Sequence, residues 1–306
     1  MGIKFYSLPC GKFDRRFLPN SIFGIPKTIA GLYHAFFLIK RLKPDIIVSF
    51  GGYLSVPVVI GGWLQKIKSI THEQTLTNSL TTKINSHFVN KIALSFNNPL
   101  QIDGLPKDKI VITGNLLRFQ LFKKNSLSNP KIKFLNPKLP LIYITAGNQG
   151  SHIINTTLTQ ILPKLTDYNL IHQTGKNDYP LFKSLNKKYP NYISSDYFDT
   201  KDYSWIIQNS NIFISRAGAN TCQEIVAFGK NSILIPLLKS QQNEQFLNAL
   251  WVEKQQPKKT IVLAQEKLTP NSLMESIDTL KKQKKTNFLN AYVPNLKLFQ
   301  LINEII

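Results

Sequence analysis

A repeated alternation constrains this chain more than any other feature. Short β-branched runs give way to turns, and the turns to helical patterns. Residues 46–50 (IIVSF), 69–72 (SITH), 92–96 (IALSF) and 110–113 (IVIT) read as strands, with 56–66 and 78–89 as helices between them. The rhythm stops at 116–140, a stretch rich in Lys, Asn, Ser and Pro, and restarts at 141–145 (LIYIT). Strands are then expected at 170–173, 192–194, 212–215, 232–236 and 260–263. Helices are expected at 151–162, 179–188, 219–228, 243–253 and 270–282, and near 294–306. Strands alternating with helices imply βαβ units and a parallel sheet. The break implies two of them. The expected fold is α/β: two Rossmann-like parallel-sheet domains facing a cleft, with ligands at the carboxyl ends of the strands. The expected boundaries are a first domain at 1–118, a linker at 119–140 and a second domain at 141–290. A C-terminal helix, 291–306, is expected to pack back on the first domain.

A length of 306 residues suits two domains of ordinary size. The net charge of +21 favours anionic partners, such as a phosphate-bearing substrate or an acidic membrane surface. Most of that charge is scattered Lys; the only arginines are Arg15, Arg16, Arg41, Arg118 and Arg216. With no basic-aromatic reading module, nucleic acid is not expected as a partner. Cys10 and Cys222 form neither a metal-site spacing nor a disulfide framework. No apolar run reaches the roughly 20 residues that span a bilayer.

The chemistry concentrates at strand ends. Residues 212–224, IFISRAGANTCQE, run from a strand through the turn Arg216-Ala217-Gly218-Ala219 into a helix that Asn220 or Thr221 is expected to cap. Such a helix start is a ready anion site. Glu224, one turn in, can accept both hydroxyls of a ribose. A second loop, TAGNQGS at 145–151, follows a strand and opens a helix. Gly147 and Gly150 free its backbone, while Asn148, Gln149 and Ser151 offer polar groups. It is neither a Walker loop nor a complete Rossmann fingerprint. A third segment, Gln241-Gln242-Asn243-Glu244-Gln245, carries amides suited to sugar hydroxyls. In the first domain, Gly51-Gly52-Tyr53 and His72-Glu73 stand at strand ends. His72 beside Glu73 can supply a base or position an acceptor. Arg118, an Arg where Lys is the default, points to bidentate phosphate recognition or an ion pair.

In this order GKFDRRF, KPDIIVSFGGYLSVP, THEQ, ITGNLLR, AGNQGS, HQTGK, ISRAGANTCQE and QNEQFLNA resemble the GlcNAc transferases of the MurG family, which convert lipid I to lipid II. The resemblance spans residues 11–249 and implies a GT-B fold with the donor, UDP-GlcNAc, in the second domain. It implies that Glu224 binds the ribose, that residues 216–221 and 147–150 hold the diphosphate, that Gln245 meets the GlcNAc, and that Arg118 reaches the donor. Thr75 is counted with the donor contacts and stands where the family has Asn. Asn148 stands for the family's usual Ser, and Glu244 for an amide or His. Phe198 opens the segment 198–202, where the uracil pocket is expected. Gly51, Gly52, Tyr53, His72 and Glu73 are implied on the acceptor side, with His72 and Glu73 the candidate bases. No metal or other cofactor is implied. The family opens with a strand and a GGTGGH-type loop, whereas this chain starts at MGIKFYSLPCGK. The first domain is therefore expected to be incomplete, without its first βα unit.

The implied acceptor is an undecaprenyl-diphosphate-linked sugar. A helix at 29–43, IAGLYHAFFLIKRLK, sets bulky apolar residues beside Lys40, Arg41 and Lys43. It suits contact with an anionic lipid surface at the cytoplasmic face of the membrane, and equally a packed core helix. Lys12, Arg15 and Arg16 extend the basic surface. Two other readings stay open: a different GT-B glycolipid glycosyltransferase, or an inactive nucleotide-sugar-binding relative.

Overall fold

The computed structural model describes residues 3–11, 18–123, 127–237, 243–283 and 293–306. Lys12, Arg15, Arg16, Gln241 and Gln242 lie outside the described residues. The chain divides into two compact units, Met1–Leu116 with Val293–Ile306, and Leu117–Tyr292. Both are parallel-sheet α/β domains.

The first unit runs α1 (Leu18–Leu42), β1 (Ile46–Ser49), α2 (Ser55–Leu64), β2 (Lys68–Glu73), α3 (Leu80–Ser86), β3 (Lys91–Leu94), α4 (Pro99–Ile102) and β4 (Ile110–Ile112). Its four strands pair in parallel in the order β1-β2-β3-β4. Side chains alternate across a strand, so one sheet has two apolar faces. Ile92 and Leu94 pack on one face with Val59 of α2. Ile70 and Ala93 take the other.

The second unit runs β5 (Leu141–Thr145), α5 (His152–Ile161), β6 (Asn169–Gln173), α6 (Tyr179–Phe182), α7 (Leu185–Lys188), β7 (Tyr192–Ser195), α8 (Thr200–Asn209), β8 (Ile212–Ser215), α9 (Ala219–Ala227), β9 (Asn231–Leu234), α10 (Glu244–Gln255), β10 (Thr260–Val262) and α11 (Pro270–Lys281). The last helix, α12 (Val293–Ile305), belongs to the first unit. Its Leu298 and Leu301 cover Ile70 and Ala93.

The second sheet is parallel throughout, in the order β10-β9-β8-β5-β6-β7. Ile142, Ile144, Ile212 and Ile214 face Ile154, Leu158, Leu273 and Ile277 of α5 and α11. Tyr143, Phe213 and Leu234 face Ile206, Ile225 and Ala249 of α8, α9 and α10. The chain leaves β5 toward β7, then crosses back to β8 on the other side of β5. That reversal between β5 and β8 is where an open α/β sheet splays its loops and takes its ligand.

Three expectations need correction. The helix expected at 179–188 is two short ones, α6 and α7. Helix α8 was not expected, because its sequence is largely polar. Its signals are the Asp199 N-cap, whose side chain accepts from the Asp202 N–H, and the apolar trio Tyr203, Ile206, Ile207 at helical spacing. The stretch expected as a linker packs as part of the second unit. Leu121 and Ile132 are buried in its core, the Asp202 carboxylate accepts from the N–H groups of Ser128 (2.7 Å) and Asn129, and Ser204 and Gln208 donate to the Leu121 carbonyl. Its Lys-, Asn- and Pro-rich composition hid those few apolar anchors.

Candidate functional site

The loops after β5 and β8 flank the reversal of strand order. After β8, Gly218 is the N-cap of α9 and makes no side-chain cap, so the expected capping by Asn220 or Thr221 is not what the structure shows. A helix start with no side-chain cap from its N-cap residue is a ready anion site. A Cβ on Gly218 would meet nothing within 4 Å, so the approach is open. Ala217 is buried, and its carbonyl accepts from Asn248 Nδ2 (3.1 Å). Arg216 donates from Nη1 to the carbonyls of Ile235 (3.1 Å) and Pro236 (3.2 Å), and from Nη2 to Ser151 Oγ (2.8 Å). It forms no ion pair among the described residues. Half-burial lowers its pKa from the ordinary value. The result is an anchored, uncompensated cation between two helix starts.

The loop after β5 is shaped by two left-handed glycines. Gly147 has φ +76° and open space beside it. Gly150 has φ +75°, and a Cβ there would stand 2.0 Å from the Thr174 carbonyl oxygen. Gln173, at the end of β6, locks the loop. It donates to the Gly147 carbonyl (3.1 Å) and accepts from Tyr143 OH and the Phe198 N–H (both 3.3 Å). Asn148 and Gln149 are exposed on the turn. Gln173 was missed as a positioning residue because nothing in HQTGK marks which side chain turns inward.

Glu224 is almost wholly buried. Its Oε1 accepts from Arg118 Nη2 (2.9 Å) and its Oε2 from Tyr203 OH (2.6 Å). The Arg118 guanidinium also lies over the Tyr203 ring, 5.0 Å from its centroid. Burial works against the Arg118 charge, but Glu224 outweighs it and the pKa is raised. Burial and the Glu224 charge push the Tyr203 phenol far above its usual range. At the start of α10, Gln245 Oε1 accepts from the Leu237 N–H (2.9 Å). Phe198, which opens the segment where the uracil pocket is expected, has its ring buried in the core beside Tyr143, while Tyr197 next to it is exposed. Thr75, expected among the donor contacts, lies in the first unit and bonds to Glu73.

Beneath α5 lies a buried polar chain. Asn155 donates to Asp178 (2.8 Å) and the Thr174 carbonyl (3.0 Å). Its Oδ1 faces His172 Nε2 (2.9 Å), and His172 Nδ1 faces Tyr192 OH (2.7 Å). Asn155 thus uses its amide donors elsewhere and must accept from Nε2–H, which leaves Nδ1 to accept from the phenol. Burial pushes the His172 pKa down from 6.5 to about 3. The imidazole stays neutral in the fold but takes a proton when unfolded. Its contribution to stability is therefore full above pH 6.5 and is lost as pH falls from 6.5 toward 3, by up to ~1.4 kcal/mol per pH unit. His172→Gln should flatten the acid limb of the melting temperature between about pH 6 and pH 4. An unchanged slope would show that the imidazole is not held neutral.

In the first unit, Gly51 and Gly52 carry φ +80° and +78°, and Tyr53 is exposed. Ser49 and Ser55 brace this turn, Ser49 Oγ accepting from the Gly51 N–H and Ser55 Oγ donating to the Gly52 carbonyl. His72 is 1% exposed. Its Nε2 faces the Gly114 carbonyl (3.1 Å), which accepts only, so Nε2 carries the proton and Nδ1 keeps a lone pair with no partner. Burial lowers its pKa. Phe50 lies over it, 5.8 Å between centroids.

Glu73, a candidate base, is bonded by its own turn. Its Oε1 accepts from the N–H and hydroxyl of Thr75 (3.1 and 2.8 Å), and its Oε2 from the Ser79 N–H (3.1 Å) and Thr82 hydroxyl (2.5 Å). The Thr75 hydroxyl shares its single proton between Glu73 and the Thr77 carbonyl (2.6 Å), and the other three donors face Glu73. These bonds tie the turn into α3 to Glu73. Glu73→Gln sets an amide N–H₂ against these donors. It should destabilise the fold by about 1–3 kcal/mol. A large loss of turnover with no change in melting temperature would instead mark Glu73 as a base.

This arrangement matches known proteins along the whole chain. The family model described as glycosyltransferase family 28 C-terminal domain matches residues 141–304, and that of the N-terminal domain matches 1–94. The UDP-N-acetylglucosamine–N-acetylmuramyl-(pentapeptide) pyrophosphoryl-undecaprenol N-acetylglucosamine transferase of Borreliella afzelii is 36% identical over 97% of this chain and 78% of its own length. The protein of the same name from Clostridium tetani is 32% identical over 97% of this chain and 80% of its own. The crystal structure of Acinetobacter baumannii MurG has a TM-score of 0.62 at 22% identity, covering 89% of this chain and 74% of that one. The UDP-GlcNAc 2-epimerase of Neisseria meningitidis scores 0.63 at 16% identity, over 94% of this chain and 82% of that one, a likeness of fold alone. The chain belongs to glycosyltransferase family 28, within its MurG branch.

Proposed function

We propose that the chain moves GlcNAc from UDP-GlcNAc to the 4-hydroxyl of N-acetylmuramic acid in undecaprenyl-diphosphate-MurNAc-pentapeptide, with inversion, in peptidoglycan synthesis. Within the site, one observation carries the reading. An uncompensated Arg216, an uncapped α9 start and a glycine-shaped loop converge where the strand order reverses, with the Glu224 carboxylate one turn further on.

The donor diphosphate sits against the Arg216–Thr221 turn and the Gly147–Gly150 loop, and the ribose diol on Glu224. As the acceptor oxygen bonds to the anomeric carbon, the bond to UDP breaks and negative charge grows on the departing diphosphate. Arg216 and the helix starts already face that charge, so no reorganisation is needed at that moment. The acceptor proton needs a base. His72 and Glu73 are the two candidates: His72 Nδ1 is buried with no partner, and Glu73 is bonded by the turn into α3. Gly51, Gly52 and Tyr53 serve the acceptor.

The membrane reading rests on α1. Ala35 and Ile39 are buried, while Ile29 (64% exposed), Tyr33, Phe37 and Leu42 are exposed beside Lys40, Arg41 and Lys43. No helix among the described residues is long and apolar enough to cross a membrane. An apolar row with a basic end suits the cytoplasmic surface of an anionic bilayer.

The test is turnover of UDP-GlcNAc labelled in the sugar, with a short-chain analogue of the MurNAc lipid as acceptor. A labelled, β-linked lipid disaccharide with release of UDP is expected. Transfer to diacylglycerol instead, or binding without transfer, would favour the other glycolipid transferase or the inactive relative.

A further inference from the structure

The donor-site reading has Glu224 receiving the ribose, yet both oxygens of that carboxylate already have partners. Tyr203 OH reaches Oε2 from the core side and is 9% exposed. Arg118 reaches Oε1, and its side chain is half exposed. The two differ in how they are held. Tyr203 is fixed on α8 within the apolar core. The backbone after Arg118 is fixed too, because Ser204 and Gln208 of the same helix donate to the carbonyls of Gln120 and Leu121. Only the long Arg118 side chain is left to move.

We infer that Arg118 is an exchangeable counterion: it neutralises Glu224 in the empty site, gives the carboxylate up to the ribose diol, and passes to the nucleotide's diphosphate. Tyr203 stays in place as the positioning residue that holds the carboxylate for the diol. The exchange makes the site selective for the charged part of its ligand. A nucleoside breaks the Arg118–Glu224 pair and returns nothing to the guanidinium. A nucleoside diphosphate breaks the same pair and restores it on phosphate, where a planar guanidinium binds in bidentate fashion. This inference rests on the donor-site reading above.

The test is calorimetric titration of the full chain with uridine and with UDP, for the unaltered protein, Arg118→Met and Tyr203→Phe. Arg118→Met should tighten uridine about fivefold, the scale of releasing a half-exposed ion pair, and weaken UDP about tenfold. Tyr203→Phe should weaken both ligands alike, since it removes the bond that orients the carboxylate. The unaltered protein offers a second measurement that needs no variant. Raising ionic strength screens the Arg118–Glu224 pair, so it should tighten uridine while weakening UDP. Arg118→Met weakening both ligands, or uridine affinity indifferent to salt, overturns the exchange and makes Arg118 a plain structural tie. Failure of the unaltered chain to bind UDP would remove the donor-site reading itself.

Discussion

Replacing Glu224 by alanine should weaken UDP-GlcNAc binding about 100- to 10,000-fold, the scale of two hydrogen bonds to a charged group at roughly 1.5–3 kcal/mol each. Calorimetry with the unaltered chain and the variant measures it. Alanine also strips the buried Tyr203 hydroxyl of its acceptor, which costs about 1–3 kcal/mol of stability. Glu224→Gln separates the two effects. It keeps an oxygen for Tyr203 but removes the charge and replaces one acceptor by a donor, so binding should fall with a smaller change in melting temperature. A Glu224→Ala chain that still binds the donor within about threefold of the unaltered one would mean that the ribose lies elsewhere.

Gly150→Ala should be the most damaging single-methyl change in the loop after β5. Two costs add. The left-handed backbone at φ +75° costs an L-residue about 1–2 kcal/mol. The new Cβ would also stand 2.0 Å from the Thr174 oxygen and 2.8 Å from its carbonyl carbon. Both are backbone atoms, so no rotamer relieves the clash, and overpacking of this kind adds roughly 1–3 kcal/mol. A total near 3 kcal/mol is expected, with weaker UDP binding because the loop must shift. Gly147→Ala is the internal control. Its φ is nearly the same but a Cβ meets nothing within 4 Å, so about 1–2 kcal/mol is expected. Denaturant unfolding of the two variants side by side decides the matter. Equal losses would show that the two loops do not touch as closely as the structure has them.

The candidate site was legible in the sequence only where its chemistry is local. The turn from Arg216 into α9 and the glycine loop after β5 are contiguous segments, and a strand end followed by glycine and a helix start is visible in a few letters. The surroundings of Glu73 were not legible, for the opposite reason. The letters HE show a carboxylate beside an imidazole, but not that Thr75, Ser79 and Thr82 fold back to bond it. At Phe198 the letters do not show whether an aromatic near a ligand loop points its ring out or in. Tyr203 was missed because it sits in a helix whose polar composition concealed the helix itself.

The sequence by itself determined the βα alternation, the two parallel sheets, and the phosphate-suited turns at strand ends. These follow from side-chain period, β-branching and turn residues, all of which act over a few positions. The tertiary structure alone decided that β8 lies beside β5, which donors surround each buried carboxylate, and that Arg118 sits on a carboxylate 106 residues away. The reason is physical. Strand order and side-chain pairing are set by which apolar faces must be buried together, and that depends on the whole set of elements at once, not on the pattern within any one of them.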